Sequence, residues 1–160
     1  MAADLFAVLD EGAADAAPLV VVQHPGAPRG KGRPRGRIVM PKAGKPFVHF
    51  YTDSETEAYE TALKWRAKAA MRSTPPFEGP LAVRIFAMMP IPASWSKRDR
   101  AAALNGTLYP MTSPDGDNIA KVLDALNKVV FLDDKQVVRW LIVKEYGEHP
   151  GLIIEVYRLP

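Results

Sequence analysis

The order of segments along the chain predicts an α+β fold: a single domain with a mixed β-sheet and helices packed on it. Six strand-like runs alternate with three helical stretches, and no internal repeat divides them. The 160 residues, 48% of them apolar, suffice for one core and are too few for two.

Residues 1–17 are rich in Ala and Asp and read as a flexible extension, leaving 18–160 as the domain. Leu19–Gln23 is the first strand. It runs into Pro25 to Gly36, too rich in Gly and Pro for regular structure. Arg37–Met40 and Phe47–Tyr51 are short strands. A helix follows over roughly 55–72, where Thr52 with Glu55 and Ser54 with Glu57 both fit a capping box. Ala58, Tyr59, Ala62, Leu63, Ala69 and Ala70 form its apolar stripe, and Pro75-Pro76 lies beyond its end. Leu81–Met89 alternates as a strand closed by Pro90 and Pro92. Ser96 caps a short helix to Leu104, with Asn105-Gly106 as its stop. The spacing of Ile119, Val122, Leu123, Leu126 and Val130 predicts a one-sided helix over about 118–128. Gln136–Tyr146 and Leu152–Tyr157 read as strands of a hairpin, joined by Gly147-Glu148-His149-Pro150-Gly151.

Composition removes whole classes of chemistry. Without cysteine there are no disulfides, thiol nucleophiles, zinc ribbons or iron–sulfur clusters. The acidic N-terminus has no basic residue before His24, unlike a secretory leader, and the longest apolar runs are about six residues, far short of a membrane span. A cytoplasmic protein is expected. The net charge is only +3, but its distribution is uneven. From Arg29 to Lys45 stand Arg29, Lys31, Arg33, Arg35, Arg37, Lys42 and Lys45 with no acid among them. From Asp115 to Asp134 stand Asp115, Asp117, Asp124, Asp133 and Asp134 against two lysines. A basic arm and an acidic cluster in one small domain suggest phosphate plus metal.

Asp115 and Asp117 are two apart on a segment entering a helix, so an extended backbone turns both carboxylates to one side. Gly116 between them leaves room for a close approach. Lys121 lies one helical turn beyond Asp117 on the same face. Asp133-Asp134 precedes the next strand, where a turn can return it over the helix start. Such a set suits Mg²⁺, and a lysine beside it suits a charged phosphate. A blander reading stands beside this one: Asp115 or Asp117 as a helix cap, Asp133-Asp134 as an ordinary turn. An EF-hand loop is excluded, because Ile119, Ala120 and Leu126 occupy positions needing a ligand, Gly and Glu.

Read together, Pro114-Asp115-Gly116-Asp117-Asn118-Ile119-Ala120-Lys121, Asp124-Ala125-Leu126-Asn127 and Asp133-Asp134-Lys135-Gln136-Val137 strongly resemble the RusA family of Holliday junction resolvases. Pro28 to Arg35 is similar to the Pro-x-x-Lys-x-Arg-Pro-Arg segment of its phage-type members, and Ala93 to Arg98 to the linker before their acidic motif. The resemblance covers about residues 20–157. It implies a RusA-like fold and a homodimer that nicks four-way DNA junctions in pairs with Mg²⁺, Mn²⁺ being able to substitute, in DNA recombination and repair. It also implies catalytic and metal-binding roles for Asp115, Asp117 and Asp134, with Asp133 a further metal ligand, and a catalytic role for Lys121. Two departures are Ser113, where a basic residue often precedes Pro-Asp, and Lys128, where Gly often follows Asp-Ala-Leu-Asn.

The arm residues Arg29, Lys31, Arg33 and Arg35, with Lys97 and Arg98 of the short helix, are the expected DNA contacts. His24, His49 and His149 follow no metal spacing. Trp65 and Trp140 read as packing residues, and Trp95 as packing or a DNA contact. Two alternatives stay open: a DNA-binding module without catalysis, and a metal-dependent hydrolase of small phosphorylated substrates.

Overall fold

A computed structural model describes residues 17–32 and 35–159. The expected extension at 1–17 therefore lies, but for its last residue, outside the described residues. Four strands form the main sheet: β1 (Val20–Pro25), β4 (Leu81–Pro90), β5 (Val137–Gly147) and β6 (Gly151–Arg158), in the order β1-β6-β4-β5. β4 pairs in parallel with β5 and antiparallel with β6, so the sheet is mixed and the fold is α+β. β2 (Arg35–Val39) and β3 (Phe47–Tyr51) pair only with each other, as a separate hairpin. The helices are α1 (Ser54–Met71), α2 (Lys97–Leu104) and the five-residue α3 (Gly116–Ala120).

The expected hairpin of the last two strands is corrected here. β5 and β6 are not neighbours, because β4 lies between them. The turn residues at 147–151 do reverse the chain, but they carry it across the end of β4, where Pro90 faces Gly147 and Met88 faces Gly151. β4 is the most apolar of these strands, with Leu81, Val83, Ile85 and Ala87 all at most 1% exposed. A strand so apolar is best buried by a partner on each edge.

One face of the sheet carries the core. Val22, Val83, Ile85, Leu152 and Ile154 meet Leu63 and Ala67 of α1 and the buried run from Ile119 to Phe131. α1 is capped by Asp53, whose carboxylate accepts from the Thr56 backbone N–H at 3.0 Å and the Thr56 hydroxyl at 2.8 Å, so neither expected capping box forms. Its buried stripe is Thr56, Leu63, Ala67 and Met71 with half-buried Tyr59, while Ala58, Ala69 and Ala70 are exposed. Trp65, expected to pack, is 65% exposed beneath the Lys68 ammonium. Trp140 is also exposed, and Trp95 packs edge-on against Tyr146.

The helix expected over 118–128 is two pieces: α3, then a 3-10 segment, Lys121–Leu126. The stripe Ile119, Val122, Leu123, Leu126 and Val130 is buried as expected. The reason for the tighter winding is written in Lys121-Val122-Leu123-Asp124-Ala125-Leu126-Asn127, polar at every third position. A 3-10 helix has three residues per turn, so Lys121 and Asp124 share one exposed ridge while Leu123 and Leu126 share a buried one.

Candidate active site

The acidic motif enters α3 through a cis Ser113–Pro114 peptide. Asp115 holds the cap position with extended backbone, yet its carboxylate makes no capping hydrogen bond and is exposed. Asp117 lies in the first turn. The Lys121 ammonium donates to Asp117 Oδ2 at 3.0 Å and to Asn118 Oδ1 at 3.1 Å. That hydrogen bond and charge hold the Asp117 carboxyl below its ordinary pKa. The expected Asp117–Lys121 pairing is thus formed, and Asn118 joins it.

Asp133 and Asp134 part company. Asp133 caps a 3-10 turn, Asp134–Gln136: its carboxylate accepts from the Lys135 N–H at 3.1 Å, which lowers its pKa, and the Lys135 ammonium lies 3.2 Å away. Asp134 is half-buried. Its carboxyl is pushed up, first by burial and then by the Asp124 carboxylate within hydrogen-bonding reach and the Asp133 charge. Asp124 therefore adjoins this site, although the sequence marked it only as a member of the acidic run and of a motif, with no role of its own. Among the described residues, no three His, Asp or Glu side chains converge into a metal-holding group. The arrangement brings Asp134 to Asp124 and Asp117 to Lys121.

Gln136 fixes the Asp133-Asp134 turn. Its Oε1 accepts from the Leu132 and Asp133 backbone N–H groups at 2.8 and 3.1 Å, and its Nε2 donates to the Phe77 and Gly79 carbonyls at 3.1 and 3.0 Å. Both ends of one amide are thus used to pin the turn to the segment before β4. The Asp-Asp-x-Gln pattern was the only sign of this in the sequence.

The root of the basic arm is built into the same site. The Lys31 N–H donates to the Asn118 carbonyl at 2.9 Å. A side chain at Gly30 would put its Cβ 2.8 Å from the Cβ atoms of both Pro114 and Asn118, so glycine permits the approach. The Lys31 ammonium lies 3.0 Å from Asp124 and 3.2 Å from Glu60. Burial opposes its charge, but these two carboxylates prevail and raise its pKa. Arg29 pairs with Glu55 and, at 3.9 Å, with Asp53. Lys97 and Arg98 are exposed in the first turn of α2. Arg33 and the Arg35 side chain lie outside the described residues.

A family model described as endodeoxyribonuclease RusA matches residues 25–157. The chain is 36% identical over 136 residues to YqaN, an uncharacterized protein of Bacillus subtilis (strain 168), a match spanning 82% of this chain and 90% of that one. Among the described residues, no helix is long and apolar enough to cross a membrane.

Proposed function

The chain belongs to the RusA endodeoxyribonuclease family, and from that premise we propose that it resolves four-way DNA junctions by paired, Mg²⁺-dependent nicks in recombination and repair. The observation that carries this reading is the head of α3. A plain cap would turn its carboxylate onto a backbone N–H, whereas Asp115 leaves its carboxylate exposed. One turn on, Asp117 and Asn118 hold a lysine at a fixed place.

The donor chemistry fits the ion. Mg²⁺ takes hard oxygen ligands, keeps several waters and is commonly held by one or two carboxylates. The crowded Asp124–Asp134 pair fits as well, since a cation relieves repulsion between neighbouring carboxylates. In this assignment Asp115, Asp117 and Asp134 would hold the ion, which would draw together carboxylates that stand apart among the described residues, with Mn²⁺ able to take its place. Asp133 caps the turn that presents Asp134. When bound, the ion supplies a hydroxide from coordinated water and offsets charge on the phosphate.

The chain's own residues do the rest. Lys121 keeps an ammonium oriented by two neighbours, available to the charge that builds on the scissile phosphate. Gly30 and Lys31 anchor the basic arm on the acidic segment, so a backbone gripped by the arm passes beside the carboxylates. The test is nicking by the full chain of a synthetic four-way junction beside a linear duplex of the same sequence. The expected result is nicking of the junction alone, and only with a divalent ion. Tight binding without nicking would reduce the protein to a DNA-binding module. Hydrolysis of a small phosphate ester with neither DNA cut would move it to the other class of hydrolase.

A further inference from the structure

The β2–β3 hairpin has two unlike faces. Residues directly opposite on antiparallel strands share a face, so Arg37 with His49, Val39 with Phe47, and Tyr51 lie on one side. Ile38 with Val48, and Phe50 over Gly36, lie on the other. All five residues of β3 are exposed, Phe47 at 51% and Tyr51 at 41%. On the first face the His49 and Tyr51 rings are nearly parallel, 13° apart in plane, with centroids 6.5 Å apart. That spacing follows from the two-residue repeat of a strand, roughly 6.6–6.8 Å. It is also about twice the 3.4 Å step between stacked bases, the separation of two rings on either side of one base.

We propose that Phe47, His49 and Tyr51 form a ladder that takes unpaired bases at the branch point of the DNA, with Arg37 meeting the adjoining phosphate. The occupant is argued from charge and from position. Arg37 lies opposite His49, Lys42 and Lys45 stand in the turn between the two strands, and no acidic residue occurs from 29 to 52. Such a face repels a second copy of itself and attracts a polyanion. The hairpin also begins three residues after Gly32 in the chain, and the neighbouring Lys31 is anchored on Asn118, so the hairpin is tethered within a few residues of the acidic segment. Aromatic side chains stack on any base, and a branch point or frayed arm offers the unpaired bases a linear duplex lacks. The inference rests on the nuclease reading and adds what the enzyme recognises.

The experiment uses the full chain without divalent ion. It measures binding to a four-way junction with two unpaired, 2-aminopurine-labelled bases at its centre, to a single strand, and to a linear duplex. Stacking should change the 2-aminopurine fluorescence. The Phe47→Ala/Tyr51→Ala pair should weaken binding to the first two by roughly 5- to 100-fold and leave duplex affinity within about twofold. Tyr51→Leu, which keeps bulk without a stacking plane, should behave like Tyr51→Ala, and Tyr51→Phe like the parent. Ile38→Ser on the opposite face should change none of the three affinities. Equal binding of all three DNAs by parent and double variant would overturn the ladder, and so would a fall in sedimenting mass on substitution, which marks a subunit contact. Junction nicking in Mg²⁺ is scored separately, so a ladder that fails in an active nuclease leaves the nuclease reading standing.

Discussion

Lys121 is tied by Asp117 and Asn118 rather than left to sample its rotamers, and a charge held in place does more for a transition state than one that must be gathered. Lys121→Ala should therefore lower the single-turnover rate on a junction by roughly 100-fold while changing junction affinity far less. An equal loss in affinity with the rate intact would reassign the lysine to plain phosphate binding. Gln136 acts at a distance from the chemistry, by pinning the turn that carries Asp134. Gln136→Ala unties four backbone groups, two of them at Leu132 and Asp133, and should cost about 2 kcal/mol of stability, or roughly 5 °C in Tm. A thermal melt unchanged from the parent would show that the turn is held by other contacts. The pairing of Asp117 with Lys121 was legible in the sequence because the two lie one helical turn apart. The partnership of Asp134 with Asp124 was not, because the two lie ten residues apart on separate 3-10 segments, and the Lys31 contact with Asp124 joins residues 93 apart, with strands and helices between them.

At the scale of elements, the segment after α3 shows how two periodicities can share one stretch. Its apolar residues fit 3.6 residues per turn and its polar ones fit three, and the tighter winding prevails over Lys121–Leu126 while the same side chains stay buried. Its end carries a cost. Lys128 has φ of +62°, the left-handed region in which a Cβ crowds the following carbonyl. This is the position where the resembling family often has glycine, and the departure noted in the sequence thus has a backbone meaning. Lys128→Gly should raise stability by about 0.5–1 kcal/mol, the relief of strain less the extra freedom glycine gives the unfolded chain. Chemical denaturation would show this as a higher midpoint at constant slope, and a lower midpoint would mean that the lysine side chain makes up for its backbone. Strand pairing was harder to read than strand identity. The Gly147 to Gly151 turn has the chemistry of a hairpin, yet which strands pair was decided by β4, whose two-sided burial drew β5 to one edge and β6 to the other.

At the scale of the whole molecule, the fold class was legible because length, apolar content and strand count constrain it, whereas sheet order depends on contacts between segments far apart in the chain. The same scale governs how often the enzyme must act. Each chain carries one acidic segment and no internal repeat, so one chain brings one set of catalytic groups. A four-way junction has approximate two-fold symmetry, and its resolution needs nicks in two strands of like polarity. Two-fold pairing of identical chains, the commonest closed assembly, presents two equivalent sites with that symmetry. The active unit is accordingly expected to be a homodimer, with a sedimenting mass near twice 17.6 kDa at micromolar concentration. Asp117→Asn should remove cleavage and leave junction binding intact or tighter, since it takes a negative charge from a surface facing phosphate. A mixed dimer of one parent and one Asp117→Asn subunit should then nick one strand per binding event on a supercoiled cruciform and yield open circles, because the second strand lies at the disabled site. Linear product from the mixed dimer at the parent rate, from a protein that sediments as a monomer on and off the junction, would mean that one site makes both cuts.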